Sequence, residues 1–145
     1  HEPVTVTITA PVLEAVNLSG SGNLDVQGVL QADNLSLRVS GSGNILTGEM
    51  QIADKLTATI SGSGNIITGA GSVINESLRV SGSGHMDLRT LQGKHAVAEI
   101  SGSGHIKLRL SETLDASISG SGSIFYAGSP QVSTHISGSG SVRPL

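Results

Sequence analysis

Aliphatic and polar residues alternate on both sides of a recurring SGSG tetrapeptide. When each repeat is numbered from the first serine of SGSG as zero, odd positions are aliphatic and the even positions between them are mostly polar. Two of the aliphatic columns are position −1 (Leu18, Val39, Ile60, Val80, Ile100, Ile118, Ile136) and position +5 (Leu24, Ile45, Ile66, Met86, Ile106, Ile124, Val142). Alternation with a period of two is typical of a strand with one buried face. The pattern predicts one strand before each SGSG and another after it.

The tetrapeptide recurs at a nearly constant interval. Its seven starts are Ser19, Ser40, Ser61, Ser81, Ser101, Ser119 and Ser137, at steps of 21, 21, 20, 20, 18 and 18 residues. A period near 20 is the signature of a solenoid in which each repeat forms one coil. No helix and no domain boundary is evident. We therefore predict a single all-β domain over residues 1–145, a parallel β-helix of about seven coils of 18–21 residues. Connections between parallel neighbours are expected to be right-handed.

The glycines of SGSG continue the alternation, because they occupy odd positions +1 and +3. We expect both to face inward at a corner where there is no room for a Cβ and where the backbone can require a positive φ. The predicted corner glycines are Gly20, Gly22, Gly41, Gly43, Gly62, Gly64, Gly82, Gly84, Gly102, Gly104, Gly120, Gly122, Gly138 and Gly140.

Position +4 carries a column of polar side chains. It reads Asn23, Asn44, Asn65, His85 and His105, followed by Ser123 and Ser141. Identical side chains stacked ~4.8 Å apart can hydrogen-bond along the stack. We interpret the asparagines and histidines as a ladder that closes the corner. The alternative is that His85 and His105, one coil apart, share a metal ion.

Composition excludes several classes of protein. A net charge of −3 with eight Lys and Arg argues against a nucleic-acid binder. No apolar run approaches the ~20 residues of a membrane span, so we expect no membrane insertion. The absence of cysteine removes disulfides and thiol chemistry. A start at His1 fits a processed secreted protein or a shortened chain, and we expect a secreted or cell-surface location.

Catalytic and cofactor chemistry is not indicated. Asp25 and Asp87 at position +6 resemble a calcium repeat, but the column is not periodic in Asp. The other charged residues are scattered, and no pair is poised for acid–base work. We expect no enzyme activity, no metal and no cofactor. Three glycosylation sequons begin at Asn17, Asn34 and Asn75, and in a bacterial protein they would be coincidental.

Position +6 points outward, yet it carries Leu46, Ile67 and Phe125. Contiguous apolar residues on the wet face of a sheet mark an interface, whereas isolated ones are common on any surface. We predict that these three form a lateral interface with another subunit. The opposite outer face is rich in Ser and Thr, which would suit a glycan.

Three segments resemble one family of repeat proteins. They are "LSLRVSGSGNI", "LTATISGSGNI" and "LDASISGSGSIFYAGSPQVSTHISGSGSV". They resemble the head GIN domain family of putative auto-transporter adhesins, and the resemblance extends from about Val4 to Val142. It implies a β-helical fold exported by Gram-negative bacteria, no recognised catalytic residues, and a role in cell adhesion as a trimer.

Two functional hypotheses remain. The first is an extracellular structural or adhesion protein that self-associates, as a closed oligomer such as a trimer or as a head-to-tail filament. The filament is suggested by "VTVTIT" and "SGSGSVRPL", which show no capping helix. The second is a monomeric carbohydrate-binding surface module whose partners are host or matrix glycans.

Overall fold

A computed structural model of the chain describes residues 5–9, 15–27 and 30–145. Within these ranges the protein forms thirteen β-strands and no helix, so none of them contains a helix able to cross a membrane. The strands are β1 Thr5–Thr9, β2 Ala15–Gly20, β3 Asn23–Gln27, β4 Leu30–Gly41, β5 Asn44–Thr47, β6 Met50–Gly62, β7 Asn65–Ile67, β8 Gly71–Gly82, β9 His85–Gly102, β10 His105–Gly120, β11 Ser123–Gly128, β12 Gln131–Ser137 and β13 Ser141–Pro144.

The strands stack in parallel, one coil on the next. Strand β4 pairs with β6 so that Leu37 lies beside Ala58 and Val39 beside Ile60. Strands β1, β3, β5 and β7 form the stack that follows the corners, β2, β4, β6 and β8 form the stack that precedes them, and both stacks continue into β9. The predicted parallel β-solenoid is confirmed. The solenoid has about six turns, slightly fewer than the seven coils that we predicted. Seven corners enclose six intervals between coils.

Each return connection contains a further short strand segment that the alternation did not predict. Residues Leu30–Ala32 of β4 pair with Met50–Ile52 of β6, and a register shift then separates this segment from the rest of the strand. Similar shifts occur where β6 pairs with β8 and where β9 pairs with β10. Such irregularities add one or more residues to one strand and not to its neighbour, as at residues 89–91 of β9, which have no counterpart between Leu108 and Arg109 of β10. They accommodate the change of repeat length from 21 to 18 residues.

The core is a narrow aliphatic column along the solenoid axis. Its buried residues include Leu37, Ala58 and Leu78 at position −3 and Ile45, Ile66 and Met86 at position +5. Even positions between them point to solvent, as the period-two pattern predicts. At the last described coil the column is uncovered, and Ile136 is 43% exposed.

Candidate interaction surface

The first glycine of each corner turns the chain. All seven have φ between +92° and +125°. The carbonyl of Gly62 accepts hydrogen bonds from the amides of Ser83 and Gly84 in the next coil, both at 3.1 Å. A Cβ on Gly62 would lie 2.6 Å from the carbonyl oxygen of Gly41. Gly62 is exposed, so it does not face the core, contrary to the prediction. A side chain at this position would instead point at the backbone of the neighbouring coil.

The second glycine of the corner is the one that faces the core. Gly43, Gly64, Gly84, Gly104 and Gly122 are buried, while Gly22 and Gly140 at the ends of the stack are partly exposed. A Cβ on Gly64 would lie 2.5 Å from Cγ1 of Val39 and would also strike the carbonyl of Gly43. The corner therefore needs glycine twice, once for φ and once for space.

The asparagines of position +4 form a hydrogen-bonded ladder. Asn44 Nδ2 donates to Asn23 Oδ1 and Asn65 Nδ2 donates to Asn44 Oδ1, each at 2.8 Å. Further along the column, the hydroxyls of Ser123 and Ser141 are 3.4 Å apart. Side chains of successive coils are thus linked on the outer side of the corner.

His85 and His105 continue the column by stacking. Their ring centroids are 4.9 Å apart and their planes differ by 8°. Lone pairs of parallel rings run side by side and do not converge on one ion, so the observed geometry favours the ladder over a shared metal. The described residues hold no group of three or more His, Cys, Asp or Glu side chains placed for a metal. Burial, the neighbouring His85 and then Lys107 lower the pKa of His105 below its ordinary value.

Position +6 forms a continuous outward row across the solenoid, which we call the outer row. Strand register places its members side by side in the order Asp25, Leu46, Ile67, Asp87, Lys107, Phe125 and Arg143. Leu46 is 39% exposed and Ile67 is 43% exposed. The structure brings these two together, as expected, whereas Asp87 and Lys107 separate them from Phe125. Phe125 is half-buried, with its ring centroid 6.4 Å from that of His105.

The centre of the outer row is charged. Arg89 donates to Asp87 from Nε at 2.9 Å and from Nη2 at 2.8 Å. These hydrogen bonds, with a smaller contribution from Lys107, lower the pKa of the Asp87 carboxyl. Asp87 is therefore ionised at neutral pH and lies in register with the Lys107 ammonium of the next coil. The row carries one negative and one positive charge at its middle, flanked by apolar side chains.

The face on the other side of the corner is polar. Arg79 donates from Nη2 at 2.7 Å and from Nε at 3.0 Å to Oε2 of Glu99. Thr57, Thr59 and Ser77 line the same surface as this ion pair, together with the exposed Val97. Because Arg79 and Glu99 bind each other, neither charge is poised for acid–base chemistry.

Glu76 is the notable residue that sequence reasoning missed. Its side chain is 2% exposed, and neither carboxyl oxygen has a hydrogen-bond partner among the described residues. Burial raises the pKa of Glu76 to about 8. The repeat could have predicted this burial, because Glu76 occupies position −5, an odd and therefore inward position. The other described residues at that position are Leu35, Leu56, Ala96, Leu114 and Val132.

Comparison with known proteins agrees with this architecture. Residues 1–130 match the family model described as "Putative auto-transporter adhesin, head GIN domain". A crystal structure named as a putative lipid binding protein from Parabacteroides distasonis is 33% identical with a TM-score of 0.85 and covers 98% of the chain. A putative adhesin from Parabacteroides merdae is 26% identical, with a TM-score of 0.82 over 91% of the chain.

A second structure from Parabacteroides distasonis shares the fold. It is named as a putative adhesin, is 23% identical, and has a TM-score of 0.90 over 99% of the chain. The chain spans 56%, 63% and 60% of the lengths of these three structures, in the order given. No curated protein sequence matches the chain.

Proposed function

Because this chain belongs to the family of putative auto-transporter adhesins with a head GIN domain, we propose that it is a non-catalytic adhesion domain that binds a second copy of itself through the outer row. The family supports an adhesion-like role at the cell surface or outside the cell. Self-association is the finer step of the proposal.

The observation that supports the proposal is that Leu46 and Ile67 lie side by side on the outer face. Their strands pair directly, so two large aliphatic side chains lie about 4.8 Å apart in the strand-stacking direction with more than a third of each exposed. Even positions elsewhere on this solenoid are mostly polar. Contiguous exposed apolar side chains rimmed by polar residues mark interaction sites, whereas single ones are common on any surface.

The shape of the outer row suits a binding surface more than a reaction site. Its side chains project from successive strands of a rigid parallel stack, so their spacing is fixed by the backbone hydrogen bonds. A cavity of about 360 Å³ that is open to solvent lies beside the row and is lined by Asn65, Ile67, His85, Met86, Asp87, His105 and Lys107. A row of side chains at this fixed spacing can match the equally spaced row of another copy.

Bead aggregation tests the proposed function. Beads coated with the domain are expected to aggregate with one another, and beads coated with Leu46→Lys/Ile67→Lys are expected to stay dispersed. The matched control is Ile74→Lys/Val97→Lys, which removes two equally exposed apolar residues outside the row and leaves aggregation intact. Dispersed wild-type beads that adhere to glycan-coated surfaces would instead favour the monomeric carbohydrate-binding module.

A further inference from the structure

We propose that two copies of this domain pair antiparallel along the outer row, with Asp87 of each copy against Lys107 of the other and Ile67 against Phe125. This inference rests on the proposed function and adds the orientation and the register of the contact.

The four central residues of the outer row are complementary to the same four residues taken in reverse order. The central pair is Asp87 and Lys107, which are neighbours in register. A twofold axis between them brings each carboxylate to the ammonium of the second copy. One coil further out on either side, the same axis brings Ile67 to Phe125. At the next position outward, the axis brings Leu46 to Arg143, whose aliphatic stem can cover it while the guanidinium stays in water. This register therefore satisfies two ion pairs and two apolar contacts at the centre of the row.

Two other arrangements of the same residues bring like charges together at the centre of the contact. Moving the axis onto Asp87 brings Leu46 to Phe125 and Asp25 to Arg143. It also places the two Asp87 carboxylates against each other at the centre of the contact and Ile67 against Lys107. A parallel arrangement at equal height places Asp87 against Asp87 and Lys107 against Lys107. Like charges brought together at an interface are destabilising, so charge selects the antiparallel register. Arg89, which already binds Asp87, remains at the edge of the contact and adds positive charge beside the carboxylate.

Antiparallel pairing has a consequence for adhesion. The two solenoid axes point in opposite directions, so two domains held on facing surfaces can meet along their outer rows. A parallel trimer would instead join domains that stand on one surface. The orientation of the row therefore favours contact between surfaces.

Cysteine cross-linking tests the register, and the chain offers a clean background because it contains no cysteine. Ile67→Cys and Phe125→Cys are prepared separately and then mixed under mild oxidation. We expect a disulfide-linked heterodimer in the mixture and no covalent dimer of either variant alone. Equal positions would be about three coils, or ~14 Å, apart, which is beyond disulfide reach. Ile74→Cys mixed with Phe125→Cys is the control and should not cross-link.

Each outcome bears on the proposal. Covalent dimers of Ile67→Cys alone would show a parallel contact and overturn the inference while leaving self-association intact. If the wild-type chain self-associates but the mixture of Ile67→Cys and Phe125→Cys forms no cross-link, the register is also overturned. A wild-type chain that is monomeric would overturn the proposed function as well.

Charge reversal gives a second test that requires no oxidation. Asp87→Lys alone and Lys107→Asp alone each create two like-charge pairs across the predicted interface, so each variant is expected to be monomeric. Mixed in equal amounts, they recreate two opposite-charge pairs, and the mass should double. If the mixture stays monomeric while the wild type dimerises, the pairing of Asp87 with Lys107 is wrong.

Discussion

A Cβ placed on Gly93 would lie 2.5 Å from Oε2 of Glu76 and 3.0 Å from Cδ2 of Leu110. The missing side chain at position 93 leaves the space that the buried carboxyl occupies. Strand register places Leu56 and Ala96 on either side of Glu76. The carboxyl thus lies among apolar side chains, and a pKa raised to about 8 keeps it protonated at neutral pH.

Glu76 predicts that folding stability depends on pH. The folded state keeps its proton up to a pKa of about 8, whereas the unfolded chain releases it near 4.5. The contribution of Glu76 to stability is therefore greatest below pH 4.5 and is lost as pH rises to about 8, by at most about 1.4 kcal/mol per pH unit. In urea titrations from pH 4 to pH 9, the midpoint of the wild type should fall relative to that of Glu76→Gln as the pH rises.

The control for this prediction is Glu112→Gln, since Glu112 is exposed. Its pH profile should follow that of the wild type. Parallel profiles for wild type and Glu76→Gln would show that the carboxyl is not buried as described.

The two glycines of one corner can be tested separately. Gly62→Ala forces a side chain into positive φ, and Gly64→Ala drives a Cβ against Val39. Each should lower the free energy of unfolding by about 1–3 kcal/mol. Ser63→Ala, between them and exposed, should change it by less than about 0.5 kcal/mol. Equal stability of all three variants in urea titrations would contradict the account of the corner.

The asparagine ladder predicts that Asn44→Ala destabilises the protein more than Asn23→Ala does. Asn44→Ala removes two side-chain hydrogen bonds and leaves two partners unpaired, whereas Asn23→Ala removes only one. We expect losses of about 1–3 kcal/mol for Asn44→Ala and roughly half as much for Asn23→Ala. Thermal unfolding of both variants measures the ratio. A larger effect at Asn23 would mean that the bonds do not act as a ladder.

The histidines of the column predict sensitivity to acid. Because the pKa of His105 is lowered by burial and by neighbouring positive groups, the folded state takes up a proton less readily than the unfolded chain. This contribution to stability is present above 6.5 and is lost as pH falls. Between pH 7 and pH 5, the melting temperature of the wild type should therefore fall relative to that of His85→Asn/His105→Asn. The exposed His135→Asn serves as control, and its melting temperature should follow that of the wild type.

Much of the fold follows from the sequence because the repeat ties local pattern to global architecture. The odd-position aliphatics, as at Leu37 and Ile45, determine which face of each strand is buried. The constant step between SGSG tetrapeptides sets how the strands align. Both signals point to the same structure, which is why the parallel register of Leu37 with Ala58 could be predicted.

Other features could not be read from the sequence alone. The short segment at Met50–Ile52 arises from register shifts within return connections of unequal length, and alternation carries no record of where a bulge will fall. The separate roles of Gly62 and Gly64 depend on φ, which the identity of a glycine does not specify.

Sedimentation equilibrium of the unmodified chain over a range of loading concentrations measures self-association directly. Pairing through the outer row predicts a mass that rises from 14.6 kDa at low concentration to about 29 kDa, twice the chain mass, at high concentration. Leu46→Lys/Ile67→Lys should stay at 14.6 kDa throughout. A wild-type mass of 14.6 kDa at every concentration would contradict self-association through the outer row.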